Sequence, residues 1–394
     1  MGPRSNTERR GNGITSPVIS FLRPILLLAA LLASLPALAQ FTDPEDGALD
    51  ASEFIIDKKG FLPIPLIITE PAVGYGGGLG LMFVRNSLRE RVVEGKQSGH
   101  VTPPDVFGVA FAATENGTKF AAAGGMFSFG DSDRFRYRGG IARVDANLDF
   151  YGTGGDLGTG DRSIGFNLDG WASSQQVLLR LGESNHFLAL RWIYLDLTVT
   201  FDPTRPQPAA GLRPRELRSS GIGPSLEHDS RDNIFTPSRG THAGVDALFY
   251  SPEIGGDEKF QTYRAHVFDF QPLSKDFVLG SRLDARAARG DVPFYQLPFI
   301  DLRGVPKGRY QDQNVSALEA ELRWAVTPRW SLIGFLGMGK AWGTERFGDA
   351  NTVGAGGAGV RYLIARRLGI HMGVDVARGP EQTAFYIQVG SAWR

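Results

Sequence analysis

Ala317–Val326 alternates without a break. Ala317, Glu319, Glu321 and Arg323 occupy one phase, and Leu318, Ala320, Leu322, Trp324 and Val326 the other. A period of two puts the two sets on opposite faces of a β-strand, one polar and one apolar. The pattern returns in Phe277–Ala287, where Phe277, Leu279, Leu283, Ala285 and Ala287 oppose Arg282, Asp284 and Arg286. In Leu368–Arg378, Ile370, Met372, Val374 and Val376 oppose His371, Gly373 and Asp375. At the end of the chain Phe385, Ile387, Val389 and Trp393 oppose Tyr386, Gln388 and Gly390. A soluble β-sandwich also alternates. Here, however, the polar face stacks charges while the apolar face ends in aromatics, as a watery lumen and a lipid-facing exterior with interfacial girdles require. Glycine, at 51 of 394 residues, is nearly twice its usual share of about 7%. Within strands it makes room for bulky neighbours or marks bulges. The polar phase of Arg134, Arg136 and Arg138 switches to Arg143, Asp145 and Asn147 across Gly139-Gly140, and a β-bulge is expected there.

The N-terminus has a different plan. Arg4, Arg9, Arg10 and Arg23 precede the apolar run Ile25–Leu35, and Ala37-Leu38-Ala39 offers a cleavage triplet before Gln40. Residues 1–39 therefore read as a secretory signal peptide, since the apolar run is well short of the roughly 20 residues of a spanning helix. Residues 40–60 are acidic, with Asp43, Glu45, Asp46, Asp50, Glu53 and Asp57, and read as a periplasmic tail too short for a core of its own. Residues 61–394 remain for one transmembrane β-barrel.

Composition removes other classes. The 42 Lys+Arg balance 42 Asp+Glu, which argues against a nucleic-acid partner bound through counterion release. The absence of cysteine excludes disulfides, thiolate metal sites and cysteine nucleophiles. The six histidines form no HxxxH or HExxH, and no GxSxG elbow is present. No enzyme activity, metal or cofactor is expected.

Turn signals bound sixteen segments, at about 62–69, 73–85, 104–115, 118–130, 134–149, 164–182, 186–201, 219–230, 240–251, 259–272, 275–289, 315–327, 330–342, 352–365, 368–378 and 382–393. The fold class is all-β, a sixteen-stranded antiparallel transmembrane β-barrel, and sixteen has the even parity of single-chain bacterial barrels. With the N-terminus in the periplasm, short turns such as Leu273–Lys275 and Pro328-Arg329 fall inside. Longer loops such as Asp202–Arg218 and Asp291–Asn314 fall outside, the asymmetry of outer-membrane barrels.

Two motifs carry more information. Ser230-Arg231-Asp232-Asn233-Ile234-Phe235-Thr236-Pro237-Ser238-Arg239-Gly240 sits at an expected periplasmic turn. Taken alone, its Arg231, Asp232, Pro237 and Gly240 read as turn chemistry. Pro293-Phe294-Tyr295-Gln296, then Leu302-Arg303-Gly304-Val305 and Arg309-Tyr310, lie in the long outer loop after the eleventh strand. Taken alone, Arg303 reads as a solvated loop arginine beside a turn glycine. In this order, with three strands between them, the motifs resemble the bacterial surface antigen superfamily, whose best-known members are the BamA and TamA assembly barrels. Phe61–Gly78 resembles the first hairpin of its short members without periplasmic POTRA domains.

The resemblance implies that Arg303 and Gly304 fold back into the lumen, and that Arg303 pairs with acids on the twelfth and thirteenth strands. Alternation independently turns Glu319 and Glu321 inward, and an arginine fork suits carboxylate partners. The thirteenth strand departs from the pattern. It reads Phe335-Leu336-Gly337-Met338-Gly339 where relatives carry an acid, so Glu319 is the expected substitute.

The resemblance further implies a bacterial outer-membrane location, contact with outer-membrane lipids, and a seam between first and last strands through which an unfolded outer-membrane protein or a lipid passes. The alternative is a passive channel lined by Arg282, Asp284, Arg286, Glu319 and Glu321 with the loop as plug. An adhesive barrel acting through its outer loops is a third reading.

Overall fold

The computed structural model describes residues 41–56, 60–85, 104–130, 134–153, 163–202 and 215–393. The signal peptide expected at 1–39 lies outside the described residues. The chain divides into residues 1–50 and 51–394. Within the first unit, Thr42 bridges Leu49, and Asp43 and Asp50 donate N–H bonds to the carbonyls of Ala48 and Phe41.

The second unit is a sixteen-stranded antiparallel transmembrane barrel, with each strand paired to the next in chain order. The strands are β1 (Gly60–Ile68), β2 (Gly76–Val84), β3 (Val106–Thr114), β4 (Lys119–Phe129), β5 (Phe135–Phe150), β6 (Ile164–Arg180), β7 (His186–Phe201) and β8 (Arg215–Asp229). The second half contains β9 (Gly240–Tyr250), β10 (Phe260–Pro272), β11 (Phe277–Gly290), β12 (Asn314–Ala325), β13 (Trp330–Trp342), β14 (Thr352–Ala365), β15 (Ile370–Arg378) and β16 (Thr383–Val389). Every strand begins and ends within four residues of its expected bounds. Among the described residues no ladder joins β16 to β1, and the two remain the edges of a nearly closed sheet.

The alternation read from sequence has its expected meaning. Leu283, Leu318, Leu322, Trp324, Leu336 and Met338 are exposed on the outer face, as lipid contact requires. Arg282, Asp284 and Glu319, one residue out of phase with them, are buried inside. Stacked or edge-on aromatic pairs, Phe129–Phe135, Phe277–Trp324 and Trp330–Tyr362, mark the outer face at the end with the short turns.

Two expectations are corrected. There is no bulge at Gly139-Gly140: Gly124 pairs with Gly140 and Gly125 with Gly139 in continuous register. β5 has 16 residues, more than the 9–11 or so that cross a bilayer. Its outward positions simply pass from Ile141 to Arg143, Asp145 and Asn147 where it leaves hydrocarbon. The inward positions become apolar there, and Leu148 and Phe150 pack on Phe166 and Val199.

Trp393 is not on the lipid face. β16 ends at Val389, Gly390 turns the chain with φ +81°, and Trp393 is buried inside against Phe268 and Phe270. Ser52–Ile56 form a helix, α1, in which Ile55 packs on Ala365, Leu368 and Ile370 at the β14–β15 turn.

Candidate functional site

The loop between β11 and β12 folds inward and crosses the lumen. On one side Phe294 packs against Phe150, Phe166 and Phe201, with centroids 5.0, 4.9 and 5.8 Å away. Gln296 Nε2 donates to Ser219 Oγ at 2.6 Å. The loop then returns as a narrow hairpin, in which Ile300 N–H donates to the Tyr310 carbonyl and Asp312 N–H to that of Pro298. Ile300, Leu302 and Val305 are buried with Val315, Ala317 and Val353 on the far wall. This apolar seating removes the loop from water and sets Arg303 against β12, β13 and β15.

Arg303 is 9% exposed. Its Nε and Nη2 lie 2.7 and 2.6 Å from Glu319 Oε1, and its Nη1 lies 2.7 Å from Glu321 Oε2 and 3.0 Å from Asp375 Oδ2. Its guanidinium also stacks 3.6 Å over the Phe335 ring, a cation–π arrangement. Glu319 receives Trp393 Nε1–H at 3.1 Å and faces Arg282 Nη1 at 3.5 Å. Arg361 holds Asp375 with Nη1 at 2.6 Å and Nη2 at 2.8 Å. Three guanidinium groups thus face three carboxylates, which is how a buried charge cluster avoids an unpaired ion. Burial alone would lower the Arg303 pKa, but Glu319, Glu321 and Asp375 outweigh it and hold the group above its ordinary value.

The sequence reading named Glu319 and Glu321 and missed Asp375. Alternation had turned Asp375 inward, yet nothing local ties β15 to a loop some seventy residues earlier in the chain. β13 leaves little room for an inward acid. A Cβ on Gly337 would lie 2.8 Å from Leu302 Cδ2, and one on Gly339 would lie 2.6 Å from Ile300 Cγ2. The space beside Gly337 and Gly339 is filled by the loop's own aliphatic side chains.

Gly304 follows with φ +92°, and a Cβ there would lie 2.9 Å from Gly379 N. Its N–H donates to Tyr386 Oη on β16 at 2.9 Å. Beyond it Lys307 approaches Glu70 in the β1–β2 turn, at 3.6 Å between Nζ and Oε2. Tyr310 Oη donates to Glu381 in the β15–β16 turn, and Arg309 Nε lies 3.4 Å from the same carboxylate. Burial and Glu381 push the Tyr310 hydroxyl up to about 12. One loop therefore touches the hairpins on both sides of the unpaired seam.

Arg282, Asp284 and Arg286 do face inward, but as a packed network and not a row along open water. Asp284 receives Arg264, Arg282 and Arg286 at 2.9, 3.2 and 2.9 Å. Asp301 of the loop takes Arg282 at 3.2 Å and Arg286 at 3.6 Å. The charges expected to line a pore hold the loop across it.

The motif at the β8–β9 turn does local work and more. Asp232 Oδ1 accepts the N–H groups of Ser238 and Arg239 at 2.9 and 3.2 Å, Arg231 pairs with Asp229 at 2.8 Å, and Gly240 has φ +99°. These are turn chemistry, as expected. The residues between them reach across the barrel. Asn233 Nδ2 donates to the Leu368 carbonyl at 2.8 Å, and Ser391 N–H donates to that of Phe235 at 2.6 Å. Arg323 Nη2 donates to the carbonyl of the buried Pro237 at 2.9 Å. This end of the β8–β16 side is therefore closed by a second inward turn.

No family model matches the sequence, and no curated protein matches it. Solved structures do. BamA from Haemophilus ducreyi lacking POTRA domains 1-3 aligns with a TM-score of 0.58 at 12% identity, over 84% of this chain and 70% of that one. CdiB from Escherichia coli aligns at 0.54 and 11%, over 83% and 62%. CdiB from Acinetobacter baumannii aligns at 0.53 and 9%, over 84% and 60%. The chain thus spans less than two thirds of either CdiB. Its fold is the sixteen-stranded transmembrane barrel of BamA and CdiB.

Proposed function

We propose that this is a bacterial outer-membrane barrel of the BamA/TamA-like type that exchanges a client sideways, through the seam between β1 and β16, while the Arg303 loop keeps the lumen shut. One observation carries the reading: among the described residues the sheet's first and last strands share no ladder, although a buried and latched loop blocks the way along the axis. An unzipped edge inside a membrane is costly unless something uses it, because its N–H and C=O groups have no water to turn to. The partners are outer-membrane lipids, and the client is an unfolded outer-membrane protein or a lipid.

The experiment places the purified barrel in liposomes. It follows the folding rate of a urea-unfolded outer-membrane protein, the redistribution of a headgroup-labelled phospholipid, and ionic conductance. Acceleration of either transfer, changed in Arg303→Ala, supports lateral exchange. Neither transfer, with steady conductance that Arg303→Ala leaves unaltered, would make the protein a passive channel instead.

A further inference from the structure

The lumen has two unlike halves. Across β11–β15 it is charged and filled by the loop. Across β1–β7 it is apolar over one stretch, set apart from the inward Arg138, Gln176 and Arg191 of the same wall. Leu81, Phe107 and Ile141 are exposed on the outer face, so their neighbours in each strand face inward. There a cavity of about 650 Å³ is lined by Ile64, Leu66, Met82, Val106, Ile193 and Leu195, with glycines and alanines of β2–β6 providing the room. Except for Ser173 and Ser174, every lining residue is apolar or glycine. A water-filled barrel has the reverse lining. The volume lies in the range of small-molecule sites, and the lining suits an apolar occupant.

We propose that this cavity receives the acyl chain of a membrane lipid that enters across β1. The proposal rests on the seam reading above and selects lipid over protein as the client. Two further features support that choice.

The first is the hydrogen-bonding edge of β1. Glu115 N–H donates to the Tyr75 carbonyl at 2.8 Å, which fixes the phase of the β2–β3 ladder. Odd-numbered residues of β2 bond β3, and even-numbered ones bond β1. Antiparallel pairing then turns Phe61, Pro63, Pro65 and Ile67 toward the seam. Proline has no N–H, so two of the four donors on this edge are missing. A client strand adding here would bring acceptors that the edge cannot match. An acyl chain needs no hydrogen bond.

The second feature is that β1 is apolar on both faces. Phe61 and Ile67 are exposed outward, while Ile64 and Leu66 border the cavity. A single edge strand separates hydrocarbon from a hydrocarbon-like pocket, so the pocket is continuous in chemistry with the bilayer.

The test uses a phospholipid carrying a diazirine in its acyl chain, in liposomes containing the whole barrel, with adducts mapped by peptide mass spectrometry. Adducts are expected on Ile64, Met82 and Ala142 as well as on the outward Leu79, Phe83 and Phe111, which lie away from the cavity. Gly108→Leu and Ala142→Phe each fill the cavity. Either one, once its fold is verified by heat-shifted electrophoretic mobility, should lose inward adducts at least tenfold and keep the outward ones. Wild-type adducts confined to outward residues would overturn the proposal. The double substitution Pro63→Val and Pro65→Val restores the donors, lets β1 zip to a neighbouring strand, and should reduce inward adducts several-fold. Unchanged inward adducts in that variant would support the acyl site and refute the seam as its entrance.

Discussion

Arg303 Nη1 lies 3.0 Å from Asp375 Oδ2, which ties the long loop to a strand three positions beyond β12. Asp375 is fully buried and also holds Arg361 through both oxygens. Removing its charge takes from Arg361 the carboxylate that holds both its Nη atoms and from Arg303 one of its three. Asp375→Asn should therefore cost about 3–5 kcal/mol, the usual penalty for stranding a buried charge. Glu321→Gln should cost about 1 kcal/mol or less, because Glu321 makes one ion pair and is partly open. Urea midpoints of the two variants in detergent check the order, and equal losses would mean that Asp375 is not the keystone of the cluster.

The latch needs the fork of arginine and not only its charge. Nε and Nη2 engage Glu319 while Nη1 engages Glu321 and Asp375, a spread that a single ammonium cannot span. Arg303→Lys should then raise conductance through the lumen nearly as much as Arg303→Ala. The pH dependence follows from the sign of the shift. A folded-state pKa above the ordinary value contributes stability in full below that value and loses it only above, so the wild-type loop should stay closed from about pH 7 to about pH 11. Opening of the wild type between about pH 7 and about pH 11 in planar bilayers would contradict this.

The strands were legible because alternation is a property of each segment alone, and lipid on one side makes it strict. Glu319 and Glu321 were legible for the same reason. Asp375 faced inward by the same count, yet its meeting with Arg303 depends on the curvature of four strands. Trp393 was assigned to the lipid face because the count ran through Gly390, where φ +81° ends the strand. The phase switch in β5 was visible as well. Its cause, a strand leaving hydrocarbon, requires the strand's full length and its neighbours. The edge prolines Pro63 and Pro65 can be read in sequence, but which way their missing donors point depends on the ladder.

Placing an acid at Gly337 in β13 should harm this protein. A side chain at Gly337 runs into Leu302, which is itself buried against Ile300 and Val305. Gly337→Asp should lower stability by about 1–3 kcal/mol, the usual cost of overpacking. Leu302→Ala loses a buried leucine, about 2–5 kcal/mol on its own. The double variant should lose less than the sum of the two, because the smaller side chain vacates the space. A thermodynamic cycle from urea unfolding measures that coupling, and strict additivity would mean that the introduced carboxylate does not press on Leu302.

The loop tip touches hairpins on both sides of the seam, and the two contacts differ in strength. Lys307 is about half exposed where it meets Glu70, and such pairs contribute about 1 kcal/mol at most. Glu381 takes both Tyr310 and Arg309, which are better buried, and hydrogen bonds to a charged group are worth about 1.5–3 kcal/mol. If the tip restrains parting of the hairpins, Glu381→Ala should speed lipid redistribution by about tenfold or more, since about 1.4 kcal/mol is a factor of ten. Glu70→Ala should change it by no more than about fivefold. The ratio of the two rates in liposomes is the measurement. A faster Glu70→Ala, or no effect from either, would show that the tip does not restrain the seam.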